Sequence, residues 1–292
     1  MNIVNPNNLS QEKPAVFYYE GNWYKENPAV TGPMDQSFWM ASAVFDGSRA
    51  FKGLAPDLDL HCSRLIQSAL KVNLKPHLSS EDVMALCFQA LERLPAGRDY
   101  YIRPMFFASD GVVVPDPEST RFILAVYECP MTAEPTFSAC HSSYRRPDID
   151  MAPADAKACC LYPNIARSIL EAEAKGFDSG IVDDPNGNIA EFEAANLFIV
   201  NKGVVHTPAC NGTFLNGLTR QRVIKLLREE GLDVLETTLT FEDVMLADEV
   251  FNTGNLEKVM FCVQVEDRSF GIGPVSRRAR ELYFEYAETQ TI

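Results

Sequence analysis

The chain has 292 residues, 46% of them hydrophobic and 23% charged, which is enough to bury one large core or two modest ones. A net charge of −14 leaves no surplus of Lys and Arg to displace phosphate counterions, which excludes a nucleic-acid binder. No apolar run approaches the roughly 18 residues of a membrane span, and residues 1–13 are too polar for a signal peptide, so no membrane association and a cytoplasmic location are expected.

Taken in chain order, Val16–Tyr24 is rich in aromatics around Gly21 and predicts a hairpin. Asp57–Val72 has helical apolar spacing. A second helix follows Ser79, with Val83, Leu86, Cys87, Ala90, Leu91 and Leu94 along one face. Tyr100–Phe107 and Arg121–Tyr127 read as adjacent antiparallel strands across the turn region Asp110–Glu118. Arg145–Pro153 carries two prolines and two aspartates without apolar periodicity, and is expected to be a linker. Beyond it come a helix over Asn164–Lys175, stopped by Gly176, and strands at Ser179–Asp183, Asn196–Asn201 and Val204–Thr207. A helix over Thr219–Glu230 ends at Gly231. Thr240 opens a short helix, Glu249–Thr253 is a short strand, and Pro274–Glu288 is the last helix. Gly271-Ile272-Gly273 is half a dinucleotide fingerprint with no third glycine and no fitting strand before it, and reads as a turn.

Eight cysteines and four histidines are scattered without CxxC or HExxH spacing. The thiols are expected to be reduced, and no metal is expected. The chemistry-bearing residues lie elsewhere. Lys157 stands in an Ala-Lys-Ala-Cys-Cys-Leu-Tyr segment, Glu191 follows, and Leu215–Arg220 runs from a turn at Gly217 into a helix. Free backbone N–H groups at a helix start bind anions, although Thr219 alone would read as an ordinary helix cap. An amine, an acid and an anion cradle in that order suit the aldehyde, ring nitrogen and phosphate of pyridoxal phosphate.

These residues resemble the signature of the class-IV aminotransferases, the fold-type-IV pyridoxal-phosphate family. The match comprises Glu191, Asn196-Leu197-Phe198, Val205-His206-Thr207 and Leu215-Asn216-Gly217-Leu218-Thr219-Arg220, with Glu193 standing where a small residue is usual. Trp39–Arg49, Leu60–Leu65, Tyr101-Ile102-Arg103-Pro104, and Lys157 with Tyr162 five later are similar to further family elements. The resemblance implies an α+β or α/β fold of two domains with the cofactor site between them. These are expected at 1–144 (smaller, N-terminal) and 154–292 (larger, cofactor-binding), joined by a linker at 145–153.

By the same resemblance Lys157 would carry the cofactor covalently and shuttle a proton. Glu191 would pair with the pyridine nitrogen and Tyr162 with the ring oxygen. Arg64, as a bidentate donor, with Leu218, Thr219 and Asn255, would hold the phosphate. Tyr101 and Arg103 share one strand face and would look onto the substrate, Arg103 pairing with a carboxylate. Met40, Phe45 and Tyr144 would line the substrate pocket, with Met40 and Tyr144 standing where branched-chain enzymes carry Tyr and Trp. Arg49 reads equally as a second carboxylate partner or a structural residue. The implied activity is transfer of an amino group from a branched-chain-like, hydrophobic amino acid to a 2-oxo acid such as 2-oxoglutarate, by a homodimer. A D-amino-acid or (R)-amine transaminase, an aminodeoxychorismate-type lyase and, remotely, a non-catalytic cofactor-binding protein are the alternatives.

Overall fold

Glu20 and Gly21 both take positive φ, 48° and 79°, the conformation of a two-residue hairpin turn. They join β1 (Ala15–Tyr19) to β2 (Asn22–Tyr24), the hairpin expected around Gly21. The computed structural model describes residues 13–290, so the polar segment before Lys13 lies outside the described residues. Among those described, no helix is long and apolar enough to cross a membrane.

The chain forms two compact units. One contains residues 13–131 with Ala156–Cys160 and Gln290; the other contains Thr132–Asp155 and Leu161–Thr289. The first unit continues with α1 (Gln36–Met40), β3 (Ala43–Phe45), β4 (Ser48–Ala50), α2 (Leu58–Lys71), α3 (Ser80–Glu92), β5 (Tyr100–Ala108) and β6 (Thr120–Glu128). Its six strands run β2-β1-β6-β5-β3, with β4 also on β5, and every pair is antiparallel. Helix α3 starts where expected because Ser79 and Asp82 form a reciprocal cap. Along β5 burial alternates: Tyr100, Ile102, Pro104 and Phe106 are buried, while Tyr101, Arg103 and Met105 are half-buried. One sheet face is therefore covered, with α2 and α3 packed on the sheet, and the other is more open. Pro104 is tolerated in this inner strand because its carbonyl accepts from Asp46 N at 3.0 Å. The side of β5 that lacks an N–H thus faces the break between β3 and β4.

The second unit holds β7 (Thr136–Arg145), α4 (Tyr162–Ala174), β8 (Ser179–Asp183), β9 (Ile189–Phe192), β10 (Asn196–Asn201), β11 (Val204–Pro208) and α5 (Leu218–Glu229). It continues with β12 (Val234–Thr237), α6 (Phe241–Leu246), β13 (Glu249–Gly254), β14 (Lys258–Val265), β15 (Arg268–Ser269) and α7 (Pro274–Glu288). Nine strands form one sheet in the order β12-β11-β10-β13-β14-β7-β8-β9, with β15 on β14. It is mixed: β7 runs parallel to β8 and β14, and β11 runs parallel to β12. Successive residues of β10 feed two cores. Leu197 and Ile199 join Val244 and Ala247 at α6, while Phe198 and Val200 join Val223 and Leu227 of α5 and Tyr283 of α7. A strand buried on both faces reads as a continuous apolar run, which is why β10 was plain in the sequence.

The expected domain boundaries need correction. The division falls at Met131/Thr132 rather than at 144, and 145–153 lies inside the second unit. β7, assigned to the N-terminal domain, is an interior strand of the nine-stranded sheet. Arg145–Pro153 is folded rather than a free connector. Arg146 is buried, its N–H donates to Asp183 O at 2.8 Å, and Met151 N and Ala152 N both donate to Asp148 O. Ala156–Cys160 returns to the first unit, so Lys157 belongs with the N-terminal strands.

Candidate active site

In the second unit the site starts at Glu191, buried in β9. Its Oε1 lies 3.2 Å from Arg146 Nε, and its Oε2 accepts from Asn196 Nδ2 at 3.2 Å. Both partners are themselves fixed. Arg146 Nε also donates to Thr213 O, and Asn196 Nδ2 also donates to Leu215 O at 3.1 Å. Asn196 then turns outward from Glu191: its Oδ1 accepts from Gly217 N at 3.2 Å. Gly217 is the residue before the first turn of α5, with ordinary extended φ of −60°. It is glycine for space, since a Cβ there would collide with Asn196 Oδ1. One amide side chain therefore ties the acid to the helix start.

Leu218 and Thr219 form the first turn of α5, and no side chain caps it. Its leading N–H groups can meet an anion. Arg220, the basic end of the motif, is fully buried. It donates to Asn216 Oδ1 at 2.9 Å and Pro208 O at 2.8 Å and pairs with Glu236 at 3.0 Å, so it clamps the turn instead of facing a ligand. Thr207 is likewise internal, donating to Leu197 O at 2.7 Å.

A second loop, the turn Thr253-Gly254-Asn255 after β13, arrives through register. Thr253 pairs with Asn196 across β13 and β10, and a Cβ on Gly254 would lie 3.4 Å from Ala195 Cβ. Thr253–Asn255 thus lies beside the strand start that holds the first loop. Among the described residues, Thr253 Oγ1 and Asn255 Nδ2 are buried with no hydrogen-bond partner. Lys258 Nζ donates to Asn255 Oδ1 at 2.8 Å and so fixes which way the amide turns. Buried polar groups normally find partners, and two orphans beside an uncapped helix start fit an anionic ligand such as a phosphate. Tyr162 is the first residue of α4, half-buried. Tyr144, at the end of β7, has Arg167 Cζ 4.1 Å over its ring.

Glu193, two residues past Glu191, is also buried but has a different character. Its Oε2 accepts from Ser179 Oγ at 2.6 Å and Gly180 N at 2.7 Å. Burial raises its pKa, and these two neutral donors only partly offset that.

In the first unit Lys157 is half-buried. Its N–H donates to Ser68 Oγ at 3.1 Å, its carbonyl accepts from Phe45 N at 3.2 Å, and its Nζ lies 4.8 Å from the Phe45 ring centroid. The lysine backbone is therefore held between α2 and β3. The residue after Phe45 is Asp46, fully buried. It accepts from Arg64 Nε at 2.7 Å, from Arg64 Nη2 at 2.8 Å and from Gly47 N at 2.8 Å, and its Oδ1 is 2.6 Å from His61 Nδ1. Burial pushes the Asp46 carboxyl up, but Arg64 and His61 outweigh it and hold the group well below the usual carboxylate range. This amends the expectation for Arg64, whose Nε/Nη2 edge is bidentate to Asp46. Any phosphate would meet the opposite edge of the guanidinium.

Tyr101 and Arg103 share a face as expected, with Arg103 Cζ 5.4 Å from the Tyr101 ring centroid. Met40 ends α1 and is partly exposed. Arg49 is fully buried and donates to Cys129 O and Sγ, which gives it a structural place. Cys159, next to the lysine segment, is pushed up to about 11 by burial, reinforced by Cys160, so it is a thiol at neutral pH.

Residues 43–265 match the amino-transferase class IV family. The chain belongs to the class IV aminotransferases. It is therefore an enzyme of the pyridoxal-phosphate family that its motifs resembled. An aminotransferase from Brucella abortus, whose crystal structure has PLP bound, is 46% identical with a TM-score of 0.93, over 94% of this chain and 99% of that one. A branched-chain aminotransferase from Thermoproteus uzoniensis, solved with norvaline, is 26% identical with a TM-score of 0.87, covering 94% and 95%. A branched-chain-amino-acid aminotransferase of Escherichia coli is 29% identical over 291 residues, 94% of each chain.

Within each unit the expected residues fall into groups. Asn196 binds Glu191 and the Gly217 N–H just ahead of Leu218 and Thr219, and pairs in register with Thr253, two residues before Asn255, while Lys157, Phe45 and Arg64 gather at β3 and α2. The sequence pointed to the Thr253-Gly254-Asn255 turn as a second phosphate-facing loop but missed Asp46, Arg146 and Asn196 as working parts of these groups. Asp46 and Asn196 stood inside quoted motifs and carried a signal. Arg146 stood inside the supposed linker and carried none.

Proposed function

We propose that this aminotransferase moves an amino group from a hydrophobic, branched-chain-like amino acid to a 2-oxo acid such as 2-oxoglutarate. The observation that carries the cofactor half is the chain of contacts from Arg146 through Glu191 and Asn196 to Gly217, ending beside the orphaned Thr253 Oγ1 and Asn255 Nδ2. When bound, pyridoxal phosphate supplies an electron sink for the carbanion that forms at the substrate Cα.

Each residue then has a task. Lys157 Nζ would hold the cofactor covalently and, as a free amine, would move the proton of the substrate Cα. Glu191, ion-paired with Arg146, would hold a proton on the pyridine nitrogen. Leu218 and Thr219, the Asn255 amide and Arg64 would hold the phosphate, and Tyr162 would donate to the ring oxygen. Arg103 receives a substrate carboxylate, which favours amino acids over simple amines. Phe45, Met40, Tyr101 and Tyr144 shape the substrate pocket. A homodimer in the cytoplasm is part of this reading, supported by the family resemblance.

The test is spectroscopic. Purified protein should be yellow, with a band near the visible edge that borohydride abolishes while marking Lys157. The band should decay on adding L-leucine but not D-alanine or (R)-1-phenylethylamine. The reverse pattern overturns the substrate assignment, and pyruvate release from aminodeoxychorismate without an amino acceptor would select a lyase.

A further inference from the structure

A tight loop joins β13 to β14. Gly254 pairs with Lys258 across the hairpin, so only Asn255, Leu256 and Glu257 turn the chain. Lys258 takes a φ of 67°, a left-handed conformation in which glycine is the default residue. Its backbone is held on both sides, since Arg280 donates to Glu257 O at 2.5 Å and to Val259 O at 2.6 Å. A lysine kept where the backbone favours glycine implies work for the side chain itself.

That side chain is a cation only 1% exposed. Its Nζ lies 5.4 Å from the centroid of the buried Tyr283 ring and donates to Asn255 Oδ1 at 2.8 Å. An amide offers an acceptor at one end and two donors at the other, and half a turn exchanges them. An ammonium can only donate, so beside Lys258 one of the two orientations is strongly preferred. The flipped amide would set donors against donors and turn its oxygen to the place of Nδ2. Among the described residues, nothing accepts from the buried Nδ2, and Thr253 Oγ1 in the same turn is equally unmet. An adjoining cation also polarises the amide, which strengthens its donors toward an anion.

We propose that Lys258 is a positioning residue for phosphate recognition: acting through Asn255, it makes this loop prefer a phosphate ester over the same ligand without one. This rests on the reading above that Asn255 faces the cofactor phosphate. Without Lys258 the two amide orientations compete, and one of them presents oxygen to oxygen. A hydroxyl at 255 would need no such partner, because it rotates to donate wherever an acceptor lies. The lysine therefore matters because residue 255 is an amide, and that dependence is measurable.

The test is binding rather than turnover. The full-length chain, freed of cofactor, is titrated with pyridoxal phosphate and with pyridoxal, followed by the absorbance of the aldehyde. Both can condense with Lys157, and only one carries a phosphate. Lys258→Met is expected to lower the preference for pyridoxal phosphate about tenfold, the scale of one hydrogen bond to a charged group, with pyridoxal unmoved. In an Asn255→Thr background the same substitution should leave the preference unchanged. Melting temperatures check folding, and Lys258→Gly, which suits the left-handed backbone, supplies the same readout if methionine is not accommodated. If both aldehydes weaken equally, the lysine serves only the fold and the proposal is wrong. It is equally wrong if the preference persists, or if it falls as far in the Asn255→Thr background, where the amide plays no part. Asn255→Ala separates this role from the reading beneath it. A preference left intact by Asn255→Ala removes Asn255 from the phosphate site and Lys258 with it. A preference lowered by Asn255→Ala but not by Lys258→Met overturns the lysine's role alone.

Discussion

The two sheets of this enzyme treat their faces differently. The nine-stranded sheet is apolar on both sides, so β10 is buried from Asn196 to Val200 and its polar start, Asn196, is locked between Glu191 and Gly217. The six-stranded sheet is covered on one face, while its other face bears a cavity where Arg103 meets only aromatic partners. A doubly covered sheet holds groups that must not move, because every polar atom in it needs a partner. A half-open sheet can leave a cation for a ligand to satisfy. On the proposed reading this is a division of labour, with the acid and the phosphate loops set in the closed framework and the substrate met on the open one.

This contrast can be broken by substitution. The largest expected effect belongs to neither sheet face but to Lys157, on the edge segment paired with β3. Lys157→Ala should cost about 10⁴-fold in turnover, since it removes both covalent hold and proton carrier. Turnover within a hundredfold of wild type would refute the assignment. In the closed framework, Arg146→Met leaves a buried carboxylate without its ion pair, at a cost of about 3–5 kcal/mol in urea unfolding. Gly217→Ala forces Asn196 aside and should cost about 1–3 kcal/mol while loosening the cofactor, read by dialysis against buffer.

Glu193→Gln tests the same framework from the opposite side. A carboxyl whose folded pKa is raised adds stability that is fully present below its ordinary pKa and is lost as pH rises through the folded value. Replacing it with a neutral amide that still accepts from Ser179 and Gly180 should therefore raise stability by about 1 kcal/mol at neutral pH, where the charge is costly. The gain should disappear near pH 4, and a gain independent of pH would contradict the account. The smallest effect is expected on the open face, where Arg103→Gln should change unfolding free energy by less than about 1 kcal/mol. A loss as large as that of Arg146→Met would erase the distinction between the two sheets.

The sequence disclosed these regions unevenly. Helices α2, α3, α5 and α7 followed from apolar spacing and end signals, because each buries one stripe against a sheet. The cofactor motif exposed Glu191 and Gly217, whose residue types are dictated by charge and by space. β7 was not legible: its mixed run Thr136–Arg145 becomes an interior strand only through parallel partners, β8 and β14, that lie far along the chain. For the same reason Arg146 looked like part of a spacer. Asp46 was visible as a letter in a motif, but its bidentate hold on Arg64 depends on the turn of α2 that brings them together.

The return of Ala156–Cys160 to the first unit has a consequence for how the chain is made. On the ribosome, the N-terminal strands emerge well before residue 160, yet the edge beside β3 stays vacant until then. Excising the unit at Met131 would give a fragment lacking that edge and the lysine with it. Lys157, the proposed cofactor lysine, thus reaches its place beside β3 only after β7 has left the exit tunnel.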